Sequence, residues 1–450
     1  MKKTVVITIC QPAPRRGAFR RNAADLIEGI KAGAALAAGR PHLVLFPEGA
    51  VKGVPGHDLS DEPGWAHDAC AAATSLVAQA AEAAGAETSL PGCVLPLLDE
   101  LQRAGASVQV AFGGCEPSHA YQGGSSIAAN GMSFACAEFD ADRLVVEADL
   151  EDGRIASLKL LQKVNPAGAF PGDKRLGAVI AAIRDYVRAS GASGAVLGLS
   201  GGIDSALVAS CAVEALGAEH VTALMLSSRF TSEESRRLAT GMARSLGLET
   251  IERSIEPLHA LADEVYEPDV GALETGDITD QNIQARLRAM HLMAIANKRN
   301  LLLLCTANKS EAAMGYGTLY GDLAGGYCPI ADLWKSEVRS LARELNRIKG
   351  REVISEEIIT REPTAELRPG QKDSDSLPPY DEIERVMKAA LAADFRPERF
   401  SPEELAIVKK AALFAYKRQQ CAAGLILSLH PLAEFDAALG LNRIIEWPEG

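Results

Sequence analysis

The chain has 450 residues, 47% of them apolar and 23% charged, with a formal net charge of −13. That length supports two domains with cores of their own, and the acidic balance excludes any general electrostatic pull toward nucleic acid or an anionic membrane surface. Nine cysteines, scattered without a C-x-x-C pair, argue against a disulfide framework or a zinc site and point to a reducing, cytoplasmic setting.

In chain order, "MKKTVVITICQPAPRRG" begins with a short apolar run that Cys10, Gln11 and Pro12 close. It reads as a first strand rather than a signal peptide. Apolar positions at helical spacing cover 21–39, the run "PHLVLFPE" is a second strand, and the Ala-rich stretch 68–85 is helical. The strand-like run at 42–46 leads straight into a carboxylate, Glu48, which makes that residue a candidate for chemistry. No charge-free apolar stretch approaches the length of a membrane span. From Lys174 onward the pattern changes. An amphipathic helix is followed by strand "AVLGLS", helix "SALVASCAVEALG", strand "HVTALMLS", helix "SEESRRLATGMARSLG" and strand "ETIERSI". This alternation predicts an α/β fold, a doubly wound parallel sheet with right-handed crossovers, whose ligands lie beyond the carboxyl ends of the strands. We place the two domains at 1–165 and 166–450. The polar, proline-rich segment 363–382 is expected to be an ordered loop or a mobile lid.

The strongest local signal is "LGLSGGIDSALV". A strand stops at Ser200, Gly201 and Gly202 follow, and Asp204 and Ser205 lead into a helix. Paired glycines let backbone N–H groups close on an anion, and the helix start adds its positive end. Ser200 and Ser205 carry hydroxyls that can donate to phosphate oxygens. Asp204 beside a phosphate needs a cation between them, and a hard oxygen ligand suits Mg²⁺. The same residues also fit a plain Gly turn with Asp204 and Ser205 as helix caps.

This loop resembles the pyrophosphate loop of the ATP pyrophosphatase (adenine nucleotide alpha-hydrolase-like) superfamily. The stretches "QNIQARLRAMHLMAIANK" (281–298), 304–342, 361–384 and "YKRQQ" (416–420) resemble the NAD synthetase family, in order and spacing, over 174–424. The resemblance implies a two-step reaction. ATP adenylates the nicotinate carboxylate of nicotinic acid adenine dinucleotide, and ammonia then displaces AMP to give NAD⁺, with pyrophosphate released in the first step. It also implies roles. Ser200, Gly201, Gly202, Asp204 and Ser205 would hold pyrophosphate, and Asp204 and Glu311 would hold Mg²⁺. Lys335 would reach the ATP phosphates, Thr306 and Thr364 phosphate or adenylate oxygens, and Arg229 the ATP nucleotide. Asn282, Arg286 and Glu311 belong to the dinucleotide side, with Arg288 a weaker candidate. Asp322, in "YGDLAGG", would lie near the nicotinate and the incoming ammonia, with Asp322 and Lys335 as the catalytic pair. Singly, each of these also reads as a surface charge or a turn cap. Ala307 stands where the family usually has glycine, and the segment "LILSLHPLAEFDAALGLNRIIEW" departs from the family's usual basic tail. The family implies a homodimer or larger homo-oligomer.

The front half resembles the nitrilase-like glutaminase of glutamine-dependent NAD synthetases, in which Glu, Lys and Cys act together. "VLFPEGAVKGVPGHDL" resembles the segment around that Glu, and "FGGCEPSHAYQGGSSIAANG" a later part of the same domain. No lysine occurs from Gly53 to Leu158. Cys93 lacks the residues that normally follow the nucleophile, and Cys115 is followed by a Gly-Gly-Ser segment instead of a nucleophile elbow. Glu48 therefore reads as the remnant of a glutaminase site in a truncated nitrilase-like α/β domain, with free ammonia as nitrogen source. The alternatives are a functional amidase domain that hydrolyses glutamine, a separate glutaminase partner, or a non-enzymatic nucleotide-binding paralogue.

Overall fold

Val5 through Gln11 is buried without a break, as befits a strand with neighbours on both edges and cover on both faces. The computed structural model describes residues 2–13, 18–52, 64–90, 95–115, 120–271, 275–392, 396–433 and 436. It divides into two compact units at Ala181/Ala182.

The first unit holds β1 (Lys2–Gln11), α1 (Phe19–Ala37), β2 (His42–Leu45), α2 (Gly64–Ala83), β3 (Ala86–Thr88), α3 (Pro96–Arg103), β4 (Ser107–Gln109), β5 (Gly113–Cys115), β6 (Ala120–Gln122), β7 (Ser126–Ala129), β8 (Met132–Ala135), β9 (Asp142–Glu151) and β10 (Arg154–Lys163). Its main sheet runs β10-β9-β1-β2-β3. β1, β2 and β3 are parallel, and β9 pairs antiparallel with both β1 and β10. β4-β7-β8 and β5-β6 form smaller sheets. Alternate residues of β1 face opposite sides. Val5, Ile7 and Ile9 pack with Leu43, Leu45, Leu144 and Val146, whereas Cys10 packs with Leu26, Ile30 and Val77 from α1 and α2. Fully burying a side chain such as Ile30 stabilises by about 1.5–3 kcal/mol. α1 lies backbone-close to the sheet: a Cβ on Gly33 would come within 2.0 Å of Thr8 Oγ1 and 2.4 Å of His42 Nε2.

The second unit takes up the latter part of α4 (Lys174–Ser190), then β11 (Gly194–Gly198), α5 (Ile203–Leu216), β12 (Val221–Ser227), α6 (Glu233–Leu246), β13 (Glu249–Ser254), α7 (Glu256–Val270), α8 (Ile278–Arg299), β14 (Leu301–Leu303), α9 (Lys309–Met314), α10 (Lys335–Lys349), α11 (Glu356–Thr360), α12 (Tyr380–Leu391), α13 (Pro402–Leu413) and α14 (Ala415–Arg418). The sheet is wholly parallel in the order β13-β12-β11-β14. That is the doubly wound arrangement expected, and the strand order reverses between β11 and β14, where a ligand crevice belongs. α10 shows why these segments are helices. Val338, Leu341, Ala342 and Leu345 repeat at helical spacing and are buried, and Gly350 ends the helix at φ 62°. The units divide within α4, at Ala181/Ala182, whereas the expected boundary lay at 165/166. The proline-rich stretch after α11 is an ordered loop with one short turn at Asp373–Asp375. Among the described residues, no helix is long and apolar enough to cross a membrane.

Candidate functional site

A cavity of about 790 Å³ opens at the carboxyl ends of β11, β12 and β14, within the size range of small-ligand sites. Its floor is the loop between β11 and α5. Gly201 adopts φ +84°, and a Cβ there would come within 2.5 Å of the Ser235 carbonyl oxygen. The loop therefore requires glycine at this position. Around the turn, Ser205 Oγ donates to the Gly202 carbonyl (3.0 Å), lies 3.1 Å from Ser200 Oγ and accepts from Ser200 N (3.3 Å), and Gly202 N donates to Ser200 Oγ (3.2 Å). Ser200, Gly202, Asp204 and Ser205 all line the cavity.

Three charged groups meet beside this loop, brought from separate elements. Asp204 stands in the first turn of α5, Glu311 in the first turn of α9, and Lys335 opens α10. Lys335 Nζ lies 2.6 Å from Asp204 Oδ2 and 3.0 Å from Glu311 Oε1. Its side chain is 3% exposed, and its ammonium sits 5.1 Å from the centroid of the Tyr380 ring. Burial works against the Lys335 charge, but the carboxylates of Asp204 and Glu311 outweigh it and hold its pKa above the ordinary value. Burial pushes the Glu311 carboxyl up, against the ammonium of Lys335 and with the help of Asp204. Asn308 completes the cluster. Its Nδ2 donates to Asp204 Oδ1 (2.9 Å), and its side chain forms a capping box with Glu311 at the start of α9. Asn308 was not singled out from the sequence, although the N-x-x-E spacing is a capping signature that marks the helix start. Beyond Lys335, both Tyr380 and Tyr316 donate to Asp373, at 2.7 and 3.1 Å.

The remaining candidates fall into two groups. Thr306, Asn282, Arg286, Arg288, Asp322 and Thr364 line the cavity. Asn282 accepts from Thr318 Oγ1 (2.7 Å), and Arg286 Nε donates to the Leu319 carbonyl (3.3 Å). Arg288 Nε donates to the Leu226 carbonyl (3.0 Å), and burial lowers its pKa to about 10. Asp322 accepts from Thr318 N (2.8 Å). The residue as a whole is exposed, yet the surrounding protein desolvates its carboxyl and raises its pKa. The Thr364 hydroxyl donates to the Gln371 carbonyl and accepts from Glu366 N, so it holds its own loop together. Lys417, in "YKRQQ", also reaches the cavity, and its Nζ donates to the carbonyls of Gly315 and Gly317 at 2.9 and 2.8 Å.

Arg229 does not line the cavity. It is exposed, and its guanidinium is engaged by Glu256 (2.9 Å) and His259 (2.9 Å). The family resemblance implies a place by the nucleotide for Arg229; in this structure its partners are Glu256, at the start of α7, and His259. In the first unit, Glu48 is an exposed turn residue after β2. Lys2, Lys3 and Lys174 pair with Glu151, Glu100 and Glu138. Cys93 lies outside the described residues, as does the side chain of Cys115, whose backbone pairs in β5 with β6. Among the described residues, no group of three or more His, Cys, Asp or Glu side chains is placed to hold a metal ion. Asp204 and Glu311 are a pair, and their donor chemistry fits a hard cation. A positive group, the Lys335 ammonium, already sits between them.

The family model for NAD synthase matches residues 176–420, more than half of the chain. The chain belongs to the NAD synthase family. Among curated relatives, the glutamine-dependent NAD(+) synthetase of Thermotoga maritima is 42% identical over 259 residues, covering 56% of this chain and 44% of that protein. The corresponding protein of Acinetobacter baylyi is 38% identical over 300 residues, covering 65% and 54%. The chain thus spans about half the length of the curated relatives it matches. A solved structure, the glutamine-dependent NAD⁺ synthetase of Acinetobacter baumannii in complex with ADP, has a TM-score of 0.65 at 24% identity and covers 99% of this chain and 98% of that one. This likeness gives the NAD synthase chain its fold, including the α/β layer ahead of the synthase unit.

Proposed function

We propose that this NAD synthase chain joins ammonia to the nicotinate carboxylate of nicotinic acid adenine dinucleotide, at the expense of ATP, which leaves as AMP and pyrophosphate. The observation that carries the reading is the convergence of Asp204, Glu311 and Lys335 beside the Ser200–Ser205 loop, on the wall of one cavity. The loop's N–H groups and hydroxyls would hold the β- and γ-phosphates, and Lys335 would neutralise charge that builds on the leaving pyrophosphate. Mg²⁺ would be held by Asp204 and Glu311, where it would screen the triphosphate. Thr306 would donate to a phosphate or adenylate oxygen. Asn282 and Arg286 would orient the dinucleotide. Asp322, its pKa raised, would take up the proton that ammonia sheds as the amide forms.

The nitrogen donor is free ammonia in this reading, because the stretch from Gly53 to Leu158 offers no lysine to stand with Glu48. A second reading, glutamine hydrolysis by the front unit or by a separate glutaminase, is favoured by the names of the curated relatives. The family's homo-oligomers and a cytoplasmic setting remain part of the proposal. One experiment tests it: purified protein with ATP, Mg²⁺ and nicotinic acid adenine dinucleotide, given ammonium chloride in one tube and glutamine in another. NAD⁺ with ammonium alone supports the first reading. Equal rates with ammonia-free glutamine establish hydrolysis by the front unit, and a separate glutaminase is shown only if adding one makes glutamine serve where the purified protein alone uses ammonium. No NAD⁺ and no AMP in either tube overturns both.

A further inference from the structure

A second buried charge pair lies behind the site, outside the cavity. Lys309 is 1% exposed, and its Nζ lies 2.6 Å from Asp332 Oδ1. The same ammonium donates to Ser428 Oγ (2.8 Å) and to the His430 carbonyl (2.9 Å). Asp332 Oδ2 accepts from Leu427 N (2.8 Å) and Ser428 N (2.7 Å). Both ions therefore have hydrogen bonds beyond their mutual one. That is the condition under which a buried pair is tolerated, and such pairs are best understood as fixing one arrangement, not as adding stability.

The place of this pair in the chain gives it meaning. Lys309 stands between Asn308, which holds Asp204, and Glu311, which holds Lys335. Asp332 leads into Lys335. The starts of α9 and α10 are also tied directly: Lys309 N donates to the Leu333 carbonyl (2.9 Å), and Lys335 N donates to the Ser310 side-chain hydroxyl (3.0 Å). The atypical C-terminal segment supplies the outer half of this brace. The chain leads into it alongside Cys328, whose N–H donates to the Ala423 carbonyl (2.7 Å), and the segment reaches Asp332 through Leu427 and Ser428. It returns at the far end of α9, where Arg418 donates to the carbonyls of Ala312 and Ala313 and pairs with Asp436 at 2.5 Å.

We infer that Lys309, Asp332 and the segment 427–430 are a positioning brace that sets the separation of Glu311 and Lys335. This rests on the reading of Lys335 given above. The brace touches no cavity wall, so its effect is on rate through geometry; a displacement of about 1 Å at such a site can cost up to about 100-fold.

The test separates positioning from plain support of the fold. Lys309→Met strands a buried carboxylate and is expected to lower the melting temperature. Lys309→Met with Asp332→Asn removes both charges and keeps an acceptor for the N–H groups of Leu427 and Ser428, so the melting temperature is expected to recover. If the pair positions the site, kcat for NAD⁺ formation stays at least about 10-fold down in the recovered double variant, while KM for ATP moves by no more than about threefold. If kcat returns with the melting temperature, the pair is only structural and the inference is overturned. Ser428→Ala keeps the charges and removes one acceptor. It is expected to lower kcat by about threefold with a fall in melting temperature well short of that of Lys309→Met, and an unchanged kcat counts against the brace. Should the unaltered protein make no NAD⁺ with either nitrogen donor, the functional reading itself fails and the brace falls with it.

Discussion

Gln11 in the first unit and Lys335 in the second are both almost fully buried polar residues, 1% and 2% exposed, and their surroundings differ. Gln11 gives its amide hydrogens to the carbonyls of Ala137 and Asp140 and accepts from Ser125 N. Asp142 nearby accepts from Ala137, Arg143 and Asn165 backbone N–H groups. Most of these bonds close a loop onto a strand end. Lys335 instead shares its charge with two carboxylates on a cavity wall, and among the described residues no backbone group competes for it. The comparison teaches that burial of a polar group marks chemistry only where the group's partners are themselves charged and face open space.

Breaking the second unit's cluster is the largest effect to expect. Lys335→Met leaves Asp204 and Glu311 facing each other without a cation, and loss of one partner of a buried pair costs about 3–5 kcal/mol. Turnover is expected to fall by at least about 100-fold, the usual effect of removing one stabiliser of developing charge. Steady-state NAD⁺ formation and a denaturant melt read the two separately. A variant that keeps turnover within about tenfold would remove Lys335 from the proposed chemistry.

The first unit has its own charge-sensitive point, of a structural kind. His42 is 2% exposed, lies 2.9 Å from Thr8 Oγ1, and burial holds its pKa down to about 4. The folded form resists protonation, whereas the unfolded form protonates near 6.5. Its contribution is therefore complete above pH 6.5 and is lost as the pH falls toward 4, by about 3 kcal/mol in all. Hydrogen exchange of the β1 and β2 amides at pH 7 and pH 4.5 checks this. The unaltered protein should lose protection at the lower pH, and His42→Gln should show no such slope.

A smaller change targets the loop itself. Gly201→Ala forces a side chain onto φ +84° against the Ser235 carbonyl, at a cost of about 2 kcal/mol. We expect KM for ATP to rise by about 10-fold, with the loop displaced from its phosphate-holding shape. An unchanged KM would place the phosphates elsewhere.

Much of this site could be read from residues alone because its signals are local. The Ser200–Ser205 loop carries strand, glycines and helix start within a few positions, and the βα alternation from Lys174 onward dictates the parallel sheet. What stayed hidden depends on partners distant in sequence. Arg229 turns to Glu256 and His259 instead of the cavity, and nothing in "LSSRF" reports the helix start that attracts it. Lys309 sits inside "NKSE", one residue from Asn308, and looks like a solvated helix lysine until Asp332, Ser428 and His430 close around it. Residues 427–430 show no recognisable pattern because most of what they give to the proposed brace is backbone N–H and carbonyl groups, which every sequence carries.

Glu48 offers the smallest expected effect and the sharpest division between the two nitrogen sources. It is an exposed turn residue, so Glu48→Ala should leave stability within about 0.5 kcal/mol of the unaltered protein. With ammonium as donor, NAD⁺ formation should not change, because the amide is made in the second unit. With glutamine the outcomes part. A protein that never uses glutamine has nothing to lose, and the variant matches it. A protein that does use glutamine through Glu48 loses that rate, and only that rate, since a missing general base costs about 10²–10⁴-fold. Such a loss would return the front unit to the glutamine-dependent chemistry that the relatives' names carry. It would also require a lysine from outside the stretch between Gly53 and Leu158 to stand beside Glu48, with Lys52 the nearest in sequence.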